Sequence, residues 1–179
     1  MKEIYQLAAD YHTAGNNCVE SVVKACNEGL QLHLPDQAIR MISGMGGGIG
    51  RSGCVCGALS GSTMVISSIV GRLDPSEKHQ TEVYKFTHEF YERFVAHFGS
   101  PCCAQLNKLS FGTPEYRTKC IKITAEAADM VSDYLVENGI GPNCVVELFH
   151  LVWSGCYAWC GEPVPLVWSS CSYSVVLRG

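Results

Sequence analysis

Between Gly46 and Gly61 the chain reads Gly-Gly-Gly-Ile-Gly-Arg-Ser-Gly-Cys-Val-Cys-Gly-Ala-Leu-Ser-Gly, a loop of glycines that runs into cysteine and then into an apolar, helix-like segment. Glycine lets the backbone adopt conformations other residues avoid and approach a bound centre closely. Gly46, Gly47, Gly48 and Gly57 are the candidates for lining such a centre. A thiolate at a helix start is both a nucleophile and a soft metal ligand, which singles out Cys54 and Cys56. Cys18, the adjacent Cys102 and Cys103, and Cys120 supply the further sulfurs a centre would need. The pattern points to redox or metal chemistry and names no substrate.

A chain of 179 residues suits one domain, with room for an appendage, and can bury a core without disulfide staples. With a net charge of −4 and no basic run, it offers no surface that would track phosphates, so nucleic acid is not an expected partner. The first residues, Met1 to Gln6, carry acid early and lead into no apolar run, so secretion is not indicated and the cytoplasm is the expected compartment. Eleven cysteines is an odd number, which in a chain without an export signal favours ligation, catalysis or plain burial over a disulfide framework.

The fold class expected is all-α, a compact bundle of about five or six helices with a glycine-rich loop, followed by an irregular C-terminal tail. A first helix covers Lys2 to His12 and stops at Ala14-Gly15. A second starts at the cap Asn17, with Glu20 completing a capping box and Cys18 at the first helical position. Pro35-Asp36 opens a segment that turns Ile39 and Ile42 inward. An apolar helix from Cys56 to about Val70 has Gly57, Ala58 and Gly61 for close packing and should be central. Asp74-Pro75-Ser76-Glu77 reads as the start of a helix running to His97, whose inward face is Val83, Phe86, Phe90, Phe94 and Phe98. Ser100-Pro101 opens a short turn or helix, and Thr113-Pro114-Glu115 opens a last long helix in which Cys120, Ile123, Ala127, Met130 and Leu135 share a face.

Residues 1–139 form the expected cysteine-ligand domain, and 140–179 a Cys/Trp-rich tail. From Gly141 onward the only charges are Glu147, Glu162 and Arg178, and Trp153, Trp159 and Trp168 fall here with Cys144, Cys156, Cys160 and Cys171. The tail reads as a partner-binding extension, a strand pair around Gly161-Glu162-Pro163, or a stretch in an altered frame.

Three cysteines sit at expected helix starts: Cys18 after its cap, Cys56 after the loop, and Cys102 after Pro101. Free backbone amides and the positive helix end would stabilise thiolates there. Cys120, from mid-helix, would be a fourth ligand to a cluster whose negative charge the loop amides offset. The order Cys18, glycine loop, Cys56-Gly57-Ala58-Leu59-Ser60-Gly61, Cys102, Cys120 resembles the C_GCAxxG_C_C family of redox-active proteins and a related domain of split-Soret cytochrome c. The resemblance spans about Tyr11 to Leu135. It implies an α-helical bacterial domain with four characteristic cysteines, a redox role and, from the split-Soret relative, an iron–sulfur centre. Two departures stand out: Cys54 adds a Cys-x-Cys pair with Cys56, and Cys103 makes the third position ambiguous between Cys102 and Cys103, so that either extra cysteine could be a resolving or substitute thiol.

The leading expectation is an iron–sulfur centre, with the two-iron form as first guess, held by Cys18, Cys56, Cys102 and Cys120 in an electron-transfer protein. One alternative is a metal-free thiol–disulfide protein that cycles Cys54 with Cys56 or Cys102 with Cys103. Another is a structural zinc site, which lacks the usual paired spacing here. A Cys-x-x-Cys-His motif is absent, so covalent haem is not expected. The glycine loop follows no strand and precedes no Lys-Ser/Thr, which argues against nucleotide binding. No paired carboxylates suggest hydrolysis, and whether the chain is an enzyme stays open. Expected partners are an electron donor or acceptor protein, a transporter docked through the tail, and a second copy of the chain as a homodimer. His12, His33, His79, His88, His97 and His150 are scattered, with His88 the one nearest an inward face.

Overall fold

The computed structural model describes residues 2–77 and 80–141, so the tail with its cysteines and tryptophans, His79 and His150 lie outside the described residues. The fold is all-α. In chain order the helices are α1 (Lys2–Thr13), α2 (Cys18–Gly29), α3 (Asp36–Ile42), α4 (Gly57–Val70), α5 (Gln80–Phe98), α6 (Cys103–Leu106) and α7 (Pro114–Glu137), with a single 3₁₀ turn at Ser43–Met45. Among the described residues there are no strands, and no helix is long and apolar enough to cross a membrane.

Local sequence explains most of these boundaries. Gly15 takes φ +109° after α1, a conformation that costs glycine nothing. At α2 the side chain of Asn17 accepts from the amides of Val19 and Glu20, while the Glu20 carboxylate accepts from the Asn17 amide at 2.9 Å. This reciprocal cap satisfies otherwise orphaned donors and is worth about 1 kcal/mol. Thr113 caps α7 through Tyr116 N–H, with Pro114 in the first turn. The Asp74–Glu77 segment departs from expectation. Asp74 accepts from Ser76, and Glu77 accepts from the Asp74 amide, so residues 74–77 close a local turn instead of forming the first helical turn, and the described helix α5 spans Gln80–Phe98.

Helix α4 is central, packing against α2, α5 and α7. Its Gly61 lets the α2 backbone in closely, since a Cβ there would stand 3.0 Å from Val22 Cβ and 3.1 Å from Val19 O. Around this contact are the fully buried Val19 and Val22 of α2, Val65 and Ile66 of α4, Phe90 and Phe94 of α5, and Val131 and Leu135 of α7. Each such side chain contributes about 1.5–3 kcal/mol by leaving water. The expected aromatic face of α5 is the inward one, with Phe86 and Phe98 half-buried at its ends. Phe90 meets Tyr134 of α7 edge-on at 5.7 Å, and the Tyr134 hydroxyl is shared between Phe86 O and the Glu89 carboxylate. His88 lies on the exposed side of α5, its ring stacked on Tyr91.

Candidate functional site

The bundle leaves one end open where the start of α2, the glycine loop, α6 and the first half of α7 meet. There a cavity of about 370 Å³ is walled by Cys18, Cys56, Cys103 and Cys120. These sulfurs come from four separated points of the chain, and each is placed by a distinct local device.

Cys18 is the first residue of α2, and its thiol lies over the Cα of Gly57, where a Cβ would collide with it. Gly46 abuts the capping side chain, since a Cβ there would stand 2.7 Å from Asn17 Cγ. Cys56 caps α4, and Cys120 projects from the second turn of α7. Cys103 is brought in by a short antiparallel bridge between Val55 and Cys102. In that bridge Cys56 N–H donates to Pro101 O at 2.8 Å, Cys103 N–H to Cys54 O at 2.6 Å, and Ala104 N–H to Gly53 O at 3.0 Å. Gly48 makes the pairing sterically possible, as a Cβ on it would stand 2.6 Å from Cys54 N and 2.8 Å from Cys103 Cβ.

The bridge also sorts the adjacent Cys102 and Cys103, because extended backbone turns successive side chains to opposite faces. Cys54 and Cys56, two positions apart, are instead separated by the start of α4, which buries Cys56 at its cap. Cys56 and Cys103 line the cavity. Cys54 is exposed on the outside, and Cys102 turns its thiol to donate to Gly53 O at 3.3 Å. The structure therefore groups Cys18, Cys56 and Cys120 of the expected ligand set with Cys103, and it places Cys102 off the cavity wall. Of the four glycines expected at a centre, Gly47 lines the cavity, while Gly46, Gly48 and Gly57 give room to the residues that do.

The electrostatics correct one sequence-based expectation. Amides do act on the sulfurs as anticipated: those of Gly47 and Val19 on Cys18, and those of Ala58 and Leu59 on Cys56. Burial outweighs them. It raises the Cys18 and Cys103 thiols and pushes Cys56 up to about 12, with the neighbouring sulfurs adding to the rise. These three are neutral thiols at pH 7 in the bare protein, not thiolates held by helix ends. The dipole argument for Cys102 fails for another reason, since α6 has only four residues.

Several wall residues carried no signal in the sequence. Asn107, nearly fully buried, donates from Nδ2 to Cys120 Sγ at 3.3 Å and to Tyr116 O at 2.9 Å. The Tyr116 hydroxyl stands 3.9 Å from Cys103 Sγ. Thr124, one helical turn beyond Cys120, is buried with a hydroxyl that has no partner among the described residues. Arg51, Arg117 and His12 complete the rim. Asn107 and Tyr116 sit in a loop and a first helical turn that look like ordinary connection, and only the three-dimensional closure reveals them. Among the described residues no group of three or more His, Cys, Asp or Glu side chains is arranged to hold a metal ion.

The fold and the wall together define a class: an all-α protein built around a cavity of four unpaired cysteines. Residues 16–134 match the family described as "Putative redox-active protein (C_GCAxxG_C_C)", and the chain belongs to that family. It is also similar to an uncharacterized protein of Archaeoglobus fulgidus, 33% identical over 123 residues, which cover 64% of this chain and 81% of the relative. No solved structure matches it.

Proposed function

We propose that the four-thiol cavity is a redox centre that holds an iron–sulfur cluster through Cys18, Cys56, Cys103 and Cys120, and that the chain serves in electron transfer. The observation that carries this reading is the convergence of four sulfurs from four separate chain segments on one cavity. The donor set is uniformly soft, and no carboxylate lines the wall. Thiolate ligands of this kind suit iron–sulfur groups better than magnesium or calcium. Four cysteines on the wall of a cavity of about 370 Å³ leave room for a polynuclear group, more than a single structural zinc requires. The unpartnered Thr124 hydroxyl and the Asn107 amide supply donors that such a group would accept from.

When bound, the cluster would supply one-electron chemistry. The chain's own part is to exclude water, orient the sulfurs and offset negative charge with the amides of Gly47, Ala58 and Leu59. The three raised thiols must each lose a proton on ligation, so assembly should release protons and favour higher pH. The metal-free alternative, with Cys54 cycling against Cys56 or Cys102 against Cys103, gains less support, because Cys54 is exposed while Cys56 is buried, and the Cys102 thiol is engaged with Gly53 O while Cys103 lines the cavity.

Anaerobic purification and reconstitution, with iron and acid-labile sulfide analysis and an optical spectrum, test the reading. Stoichiometric iron and sulfide with a thiolate-to-iron charge-transfer band are expected. Colourless protein without sulfide after reconstitution would overturn it.

A further inference from the structure

The loop that frames the cavity holds a cation in a strained conformation. Gly47, Gly48, Ile49, Gly50 and Arg51 have φ of +65°, +71°, +64°, +56° and +69°, five left-handed residues in succession. L-residues pay roughly 1–2 kcal/mol each for this conformation, and they seldom adopt it in runs. Ile49, β-branched and half exposed, gains no burial in exchange. Strain of this kind persists where the surroundings enforce it and is concentrated at functional sites.

What the strain positions is Arg51. A Cβ on Gly47 would press on Arg51 Cα at 3.1 Å and Cγ at 3.2 Å, so glycine there clears the path of the arginine side chain. Beyond the loop the guanidinium lies 4.5 Å from the ring centroid of Phe111, and Phe111 packs against Tyr116 with ring centroids 4.9 Å apart and planes tilted by 54°. The cation is thereby tied to the same tyrosine that stands beside Cys103. Arg117 lies on the same wall. It donates from one nitrogen to Thr13 O at 2.7 Å and His12 O at 3.3 Å, leaving the rest of its planar fork without an acceptor among the described residues.

Charge balance makes the arrangement informative. In a chain with more acids than bases, the cavity is lined by two arginines and by no aspartate or glutamate, while burial lowers the His12 pKa and keeps that ring neutral at pH 7. Among the described residues neither arginine has a carboxylate partner. The His12 ring adds a buried Nδ1 with no partner. A guanidinium held in place by strained backbone and an aromatic face, with no internal anion to neutralise it, is arranged to receive an external one.

We propose that Arg51 and Arg117 form a binding site for a small anionic ligand, an oxyanion or a short carboxylate, at the mouth of the thiol cavity. The site is defined for the metal-free protein, where the raised thiols are neutral; a cluster held by four thiolates would add negative charge to the same wall and weaken anion binding. The site would admit a negatively charged redox substrate to the centre and discriminate against neutral ones.

Isothermal titration of the full-length protein with sodium sulfate, sodium phosphate and sodium acetate, at constant ionic strength set with chloride, tests this in chelator-treated and reconstituted samples. Saturable binding of at least one probe is expected in the chelator-treated protein, with weaker binding after reconstitution, and the probe that binds identifies the ligand class. Arg51→Gln should weaken it by about tenfold or more through loss of a charge-assisted pair, and Arg51→Lys by less. Arg51 is exposed, and an unchanged far-ultraviolet circular dichroism spectrum will show that the variant folds. Phe111→Ala, which frees the guanidinium without removing it, should give an intermediate loss. No saturable heat with any probe, or equal binding by wild type and Arg51→Gln, would overturn the proposal. Because the chelated sample carries no iron, failure of cluster assembly leaves this result readable by itself.

Discussion

Gly57 lies directly beneath the thiol of Cys18: a Cβ built on Gly57 collides with Cys18 Sγ and comes within 2.9 Å of Val19 Cγ2. The glycine that follows Cys56 in the sequence thus serves the sulfur of a different helix. Two of the four cavity thiols are held in register by this one missing methyl group.

Gly57→Ala should therefore disturb the site more than the fold. An alanine raises helix propensity by up to about 1 kcal/mol, while overpacking against Cys18 and Val19 costs about 1–3 kcal/mol. A net loss of at most about 3 kcal/mol is expected, read as a fall in Tm. Iron affinity after reconstitution should fall by about 10–100-fold, as for residues that orient a ligand without bonding to the metal. Wild-type iron loading in Gly57→Ala would remove Cys18 from the ligand set.

The sorting of the paired cysteines by the Val55–Cys102 bridge gives a second expectation. Cys103→Ser should abolish cluster incorporation, whereas Cys102→Ser should retain it with little change in stability, since the serine hydroxyl can still donate to Gly53 O. Iron-to-protein ratios of the two variants, measured side by side, check the assignment. The opposite ranking would restore Cys102 as the ligand.

That pair also shows where sequence reasoning reached its limit. The capping box of Asn17 and Glu20, the aromatic face of α5 and the start of α7 at Thr113-Pro114 were legible because they depend on residues three or four positions apart. The choice between Cys102 and Cys103 depends on which way the chain turns between an isolated β-bridge and the start of α6, and that is fixed by hydrogen bonds to residues some fifty positions earlier. Asn107, Tyr116 and Thr124 belong to the same category, being defined by what they face. The thiolate expectation failed on a balance of magnitudes: local amides were anticipated correctly, but the depth of burial that overrides them is a property of the whole bundle.

Thiol reactivity should follow exposure. Cys54 is exposed, whereas Cys26 is fully buried with its thiol pushed up to about 12 and Cys56 is raised to the same range, both by burial first. In native, metal-free protein at pH 8, iodoacetamide should label Cys54 at least about tenfold faster than Cys26 or Cys56, since thiolate fraction and access both limit the reaction. Peptide mapping by mass spectrometry after timed quenching reads the order. Equal labelling of Cys26 and Cys54 would show that the core opens readily.

The same burial fixes a sign for alkaline stability. A thiol whose folded pKa is raised above its ordinary value near 9 binds more protons folded than unfolded, so its contribution is present below pH 9 and is lost as pH climbs toward the folded value, about 12 for Cys26. Metal-free protein should accordingly lose denaturation free energy progressively above pH 9. Cys26→Ala removes one such group and should show a shallower decline, although its stability at pH 7 falls by about 1–2 kcal/mol from the methyl-sized void. Urea midpoints measured from pH 7 to 11 distinguish the slopes, and parallel curves would mean that Cys26 titrates normally.

Asn107 offers a test of the site's electronic tuning. Its Nδ2 donates to Cys120 Sγ at 3.3 Å and to Tyr116 O at 2.9 Å, while its Oδ1 accepts from the Leu109 amide, so the side chain ties a cavity sulfur to the loop before α7. A hydrogen bond to a ligating sulfur stabilises the reduced, more negative state and raises the potential. Asn107→Asp keeps the shape and the Leu109 contact but removes the N–H and adds negative charge. A hydrogen bond of about 0.5–1.5 kcal/mol corresponds to roughly 20–60 mV for one electron, and the added charge acts in the same direction. The midpoint potential of the reconstituted variant should therefore fall by at least that amount in an anaerobic optical titration. Asn107→Leu, which adds no charge, should move it in the same direction by the smaller figure. If Asn107→Leu leaves the potential unchanged while iron content matches wild type, the amide positions the loop without reaching the redox centre, and Cys120 then lies outside the set of sulfurs that share its charge.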